Sequence, residues 1–189
     1  MLIDFLVISL LIGLLRKGKL LNFAHIPLKK IELIILSFLL RYLPLVTMKF
    51  ANDFTIKYNI VFASLSYLLL IYSLYCNWHI KPFRLIALGV ILNFVVILAN
   101  GGKMPVSLSA VDIAGLHDFK PLLFDEEYLY HAAINSATNL TFLSDIIPLP
   151  PPYPRPRVFS IGDLAMGIGM FMFIQQAMLK KWSTDDKII

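Results

Sequence analysis

Five apolar runs decide what this chain can become. A helix needs about 20 apolar residues to cross roughly 30 Å of hydrocarbon, and runs at or near that length recur at residues 1–15, 31–48, 58–77, 83–99 and 158–179. With 58% hydrophobic and 15% charged residues in 189, and a mean hydropathy of +0.75, the chain carries more apolar surface than a soluble domain of this size can bury. No period repeats along it. The expectation is one all-α integral membrane domain, residues 1–189, with five transmembrane helices and a long outer segment at 100–157.

Orientation follows from the basic residues. Arg16, Lys17 and Lys19 come after the first run instead of before it, and no small-residue cleavage site follows, so that run reads as a retained helix and not a signal peptide. Placing the connection between the first and second runs, the connection between the third and fourth with its flank, and the C-terminus inside assigns ten of the 17 Lys and Arg to the cytoplasm, among them Lys29, Lys30, Lys81, Arg84, Lys180, Lys181 and Lys187. Lys49, Lys57, Lys103, Lys120, Arg155 and Arg157 fall outside and Arg41 is embedded. The chain is thus expected in the plasma membrane with its N-terminus outside and C-terminus cytoplasmic, and Trp182 beside Lys180 and Lys181 marks the inner interface. The basic pI, about 9.3, is explained by residues flanking spans, with no stripe suited to nucleic acid. The single cysteine, Cys76, excludes an internal disulfide and a CxxC metal or redox motif, so no metal or cofactor is implied.

Polar residues inside the apolar runs are costly and therefore informative. Arg41 sits mid-run with Pro44 a turn later, which should kink the helix and requires a carboxylate or free carbonyls beside the guanidinium; Asp163 and Asp4 are the candidates by depth. Asn93 is expected to hydrogen-bond to a neighbouring helix. The tyrosines of the third run, with Trp78, read as an interfacial belt.

The outer segment collects the irregular chemistry. Asn100-Gly101-Gly102 is a helix exit sealed by Pro105, and its backbone N–H groups with Lys103 could cradle an anion. A helix is expected from Asp125, with small residues on one face and His131, Asn135, Thr138 and Asp145 in a stripe on another, lying re-entrant or flat on the outer surface. Six prolines between Pro148 and Pro156 read as a polyproline strut. Ser160-Ile161-Gly162-Asp163 then fits a capping box that opens the last span, which gives Asp163 a purely structural role as the alternative to a chemical one.

The combination of NGGKMPVS after an apolar helix, an outer His131, LSDIIPLP and FSIGD resembles a bacterial family of small multi-pass membrane proteins catalogued as a domain of unknown function, over essentially the whole chain. A fainter resemblance is to lipoprotein signal peptidase, an intramembrane aspartyl protease. Asn100, Asp145 and the Phe159 to Asp163 stretch follow its motif order, whereas Ile146, Ser160 and Gly162 depart from it and a first span is extra. That resemblance implies Asp145 and Asp163 as catalytic carboxyls. Three readings follow: a polar outer-leaflet site for binding or transport, made by Arg41, Asn100, Gly101, Gly102, Lys103, His131, Asn135, Thr138 and the two aspartates; a signal-peptidase-like aspartyl hydrolase; or a structural accessory subunit. The expected partners are the lipid bilayer and other membrane subunits, or a lipid or peptide ligand.

Overall fold

A computed structural model describes residues 2–47, 50 and 52–180; Met48, Lys49, Lys181, Trp182 and Lys187, used above for orientation, lie outside the described residues. Five long helices occupy the five apolar runs: α1 (Leu2–Leu15), α2 (Ile31–Thr47), α3 (Asn52–Cys76), α4 (Lys81–Ala99) and α6 (Ile161–Leu179). A sixth, α5 (Leu108–Ile113), is short and capped by Ser107, whose side chain accepts from the Ala110 N–H. Among the described residues three helices, within α3, α4 and α6, are long and apolar enough to cross a membrane. At 1.5 Å per residue the 14 residues of α1 reach roughly 21 Å, short of a full hydrocarbon layer.

α3 begins six residues before the apolar run that announced it. Hydropathy marks where a helix can meet lipid, and polar residues such as Asp53 and Lys57 continue the same helix beyond that limit. α2 runs through Pro44 without a break, with Thr47 donating to the Leu43 and Pro44 carbonyls.

Packing order is α2 on α3, α3 on α4, α4 on α6, and α6 on α1. The α4–α6 contact is close because Gly89 and Gly162 face each other: a methyl on Gly89 would meet the Gly162 carbonyl, and one on Gly162 the Asn93 amide. At one end of the bundle Asn77, fully buried, is bonded to both backbone groups of Lys29, at 2.7 and 2.6 Å, pinning the α1–α2 loop. At the other end lies the segment between α4 and α6. Asn59 on α3 donates to the Gly102 and Leu129 carbonyls, the Tyr130 hydroxyl donates to Arg41 O, and Asp4 on α1 pairs with Arg157 at 3.0 Å and Arg155 at 3.7 Å. One face therefore gathers the N-terminal ends of α1, α3 and α6 with the C-terminal halves of α2 and α4.

That segment corrects the all-α expectation. No helix forms from Asp125. Strand β1 (Met104–Val106) pairs in parallel with β2 (His131–Ala133), and Asp145 bridges to Val106 on the other side of β1. Asn135 explains the loss of the helix: its Oδ1 accepts from Ala137 N while Thr138 Oγ1 accepts from Asn135 N, and such local bonds compete with helical ones. Asp125 likewise closes a turn onto Glu127 N. The proline run is not a strut. β3 (Ile147–Leu149) and β4 (Arg157–Phe159) form an antiparallel hairpin, so the prolines make a turn that reverses the chain and delivers it to α6. Proline is tolerated there because two-stranded ladders leave one edge of each strand unpaired. Val106, Val111 and Leu123, packed by Leu116, Phe119 and Val158, give this layer its own small core.

Candidate functional site

Between the helices and this layer lies a cavity of about 340 Å³. Each wall comes from a different element. α2 supplies Arg41 and Tyr42, α3 Tyr67, α4 Asn93 and Ile97, the sheet Met104 and His131, with Tyr130 just before β2, and Asp145 and Asp163 complete it.

Asp145 is placed by its backbone. Its N–H donates to Pro105 O and its carbonyl accepts from Ser107 N, both at 2.9 Å, so it forms an added rung on β1. The residue is 6% exposed, and carboxyl Oδ1 has no hydrogen-bond partner among the described residues. Burial, with the charge of Asp163 second, pushes its pKa up to about 8. His131 sits on the neighbouring strand, with Tyr128 stacked on it and the Tyr128 hydroxyl 3.1 Å from Nδ1, and Phe119 edge-on. Although 32% of its side chain stays open, burial of the remainder and the Arg41 charge hold its pKa down to about 4. His131 Nε2 and Asp145 Oδ2 are 3.9 Å apart. That is beyond hydrogen-bond reach, and with both groups driven to neutral forms the contact is not an ion pair near pH 7.

Asp163 is held from α4. Ser160 takes the cap position as its spacing predicts, its Oγ accepting from Asp163 N at 2.9 Å and donating to Asn93 Oδ1 at 2.8 Å. The Asn93 amide donates to Asp163 Oδ1 at 2.9 Å. Capping and cavity lining therefore coexist: the backbone of Asp163 serves the helix start while its carboxyl faces the cavity.

Arg41 is incompletely satisfied. Its guanidinium lies 4.6 Å from the Tyr130 ring centre, and buried Nη1 has no hydrogen-bond partner among the described residues. Neither carboxylate anticipated for it is an ion-pair partner among the described residues, and Asp4 is engaged by Arg157 and Arg155 instead.

The predicted residues thus divide. Arg41, His131, Asp145 and Asp163 share the first cavity, while Asn100, Gly101, Lys103, Asn135 and Thr138 line a separate one of about 260 Å³. Polar groups in the second are largely bonded to one another. Asn100 donates to Val96 O and Asn139 O and accepts from Asn139 N, and Lys103 Nζ donates to Glu126 O at 2.8 Å. Burial lowers the Lys103 pKa. Gly102 lies in neither lining; its positive φ of 90° brings its backbone against Ile60 on α3. Tyr67 and Tyr130 were not legible as site residues. The signal for Tyr67 was its place mid-helix, away from both ends where belt tyrosines sit.

Fold and site together define a mainly helical protein, three of whose described helices could cross a membrane, with a cavity carrying four ionisable side chains, Arg41, His131, Asp145 and Asp163, beside a small β-containing layer. The chain belongs to the DUF5317 family, described as a family of unknown function, which matches residues 25–175. An uncharacterized protein of Thermotoga maritima is 31% identical over 174 residues, covering 92% of this chain and 89% of that protein. No solved structure matches.

Proposed function

We propose that the protein is an intramembrane aspartyl hydrolase acting on a peptide bond, with Asp145 as acid and Asp163 as base. The observation that carries this reading is two carboxyls on one cavity wall set, Asp145 being raised to about 8 partly by Asp163. The two differ in hydrogen bonding: Asp163 Oδ1 accepts from the Asn93 amide, which favours its charged form, whereas Asp145 Oδ1 has no such donor among the described residues, which leaves Asp163 the better base and Asp145 the better acid. Water oxygen adds to the carbonyl carbon as its proton passes to the Asp163 carboxylate, and the Asp145 proton passes to the carbonyl oxygen. Collapse of the resulting diol breaks the C–N bond. The Asp163 proton goes to the departing nitrogen, and a diol hydroxyl returns a proton to Asp145. Both carboxyls end as they began.

In this reading all five long helices cross the plasma membrane, α1 and α2 locally thinning it or tilting neighbours, with the N-terminus outside and the β-containing layer on the outer face. Support comes from the alternation of helix ends at that layer and from the basic residues of the opposite loops.

N-terminal labelling proteomics of membranes from cells expressing the wild type, Asp145→Asn or Asp163→Asn tests the activity. New peptide N-termini should appear with the wild type and vanish with either variant. The same N-termini in all three strains would sink it. A binding or transport-associated role without turnover is the second reading, favoured by the unpartnered Arg41 Nη1, which suits a ligand oxygen. A purely structural subunit leaves that orphan and Asp145 Oδ1 without a purpose.

A further inference from the structure

Asp145 and His131 each line more than one cavity. The same two side chains form a wall of another cavity, of about 280 Å³, whose other walls are Val106, Leu116, Phe119 and Val158 with Arg157 alongside. Every one of these residues belongs to the layer between α4 and α6, not to the helices. Leu116, Phe119 and Val158 are only partly buried against the layer's core, so their remaining apolar surface faces this space. Arg157 is committed to Asp4 at 3.0 Å. The two polar wall residues, His131 and Asp145, are both shifted toward neutral forms by burial, so the pocket holds no free charge to recognise an ionic group. Apolar walls kept open to water are unfavourable, and the chemistry that relieves this is hydrocarbon.

We propose that the two cavities are one binding cleft divided by Asp145 and His131, and that the apolar half takes an aliphatic side chain of the peptide whose bond lies at Asp145 and Asp163. The proposal rests on the hydrolytic reading and adds the class of residue selected beside the bond. A side chain there would be held by Val106 from β1 on one side and by Val158 from β4 on another, two strands fixed independently by β2 and β3. At about 280 Å³ the pocket has ample room for an aliphatic side chain.

The test uses peptides in which the cleavable amide is replaced by a hydroxyethylene group, a mimic of the diol, carrying hydrogen, methyl or isobutyl on the adjacent carbon. Binding is measured on the full chain in detergent micelles by fluorescence anisotropy. The isobutyl peptide should bind at least about tenfold tighter than the methyl one. Val158→Trp and Leu116→Trp, which fill the pocket from different walls, should each erase that preference, and Asp163→Asn should weaken all three peptides alike. Equal affinity for isobutyl and hydrogen, with Asp163→Asn still weakening both, overturns the pocket and leaves the carboxyl pair standing. If none of the three binds, the hydrolytic reading falls and this inference with it.

Discussion

Gly162→Ala is the most informative single-methyl change in this protein. Built on the backbone, the added carbon overlaps Asn93 Oδ1 and comes within 2.8 Å of both Asn93 Cγ and the Gly89 carbonyl oxygen. Backbone cannot retreat as a flexible side-chain tip can, so α4 and α6 must separate or Asn93 must turn away. Turning it away breaks the 2.9 Å bond to Asp163 and the 2.8 Å bond from Ser160. Overpacking costs about 1–3 kcal/mol, and two interhelical hydrogen bonds add about 0.6 kcal/mol each by the average for membrane helices. A loss of about 3 kcal/mol is expected. At about 2–4 °C per kcal/mol for a chain of this size, thermal unfolding in detergent should shift down by about 6–12 °C. Gly101→Ala is the control: nothing lies within 4 Å of its added carbon, and only its left-handed φ of 69° opposes it, at about 1–2 kcal/mol. A Gly162→Ala protein as stable as the wild type, or less affected than Gly101→Ala, would refute the close α4–α6 crossing that places Asp163.

Other perturbations report on other parts. The folded state holds the Asp145 proton up to about 8 where an ordinary carboxyl loses it near 3.8, so its contribution to stability is full below 3.8 and lost by about 8. The stability difference between wild type and Asp145→Asn should therefore fall by about 1.4 kcal/mol per pH unit across that window and level off above it, as measured by unfolding between pH 5 and 9; His131, depressed to about 4, contributes with the opposite sign between 4 and 6.5 but cancels in the difference. A double-mutant cycle of Asp4→Asn and Arg157→Ala should give a coupling of about 1 kcal/mol, since the pair at 3.0 Å ties α1 to β4; additivity would show that it does not. Ser109→Cys, at an exposed position of α5, should react with an impermeant thiol reagent from outside the cell, and labelling from the cytoplasm alone would invert the topology.

Helix positions were legible because the need for apolar surface is written in long runs, and Ser160 was legible as a cap because the S-x-x-D spacing is a local rule. Asn93 was legible as a cross-helix donor, since an amide in an apolar run must find a partner. The layer between α4 and α6 was not legible. Its strands are three residues long, too short for an alternating pattern, and the small residues Ala132, Ala133, Ser136 and Ala137 happen to recur at helical spacing while Asn135 and Thr138 close a turn. Prolines at Pro148 and Pro156 flank a reversal that composition alone reads as extension. Arg41 was singled out by the cost of burying it, a residue-level property; His131 and Asp145 were singled out as a stripe on a helix that does not form, and Asp145 and Asp163 by motif order; that Asn100 and Lys103 belong to a different cavity depends on β1 pairing with β2, which lies 27 residues away in register at Met104 and His131.

The most direct measurement is the titration of the Asp145 carboxyl by carbon-13 NMR, in wild type and in Asp163→Asn, with the resonance assigned by Asp145→Asn. The expected result is a midpoint near 8 in the wild type that moves down when the Asp163 charge is removed. A midpoint near the ordinary 3.8, or one that ignores Asp163→Asn, would contradict a carboxyl pair sharing one cavity.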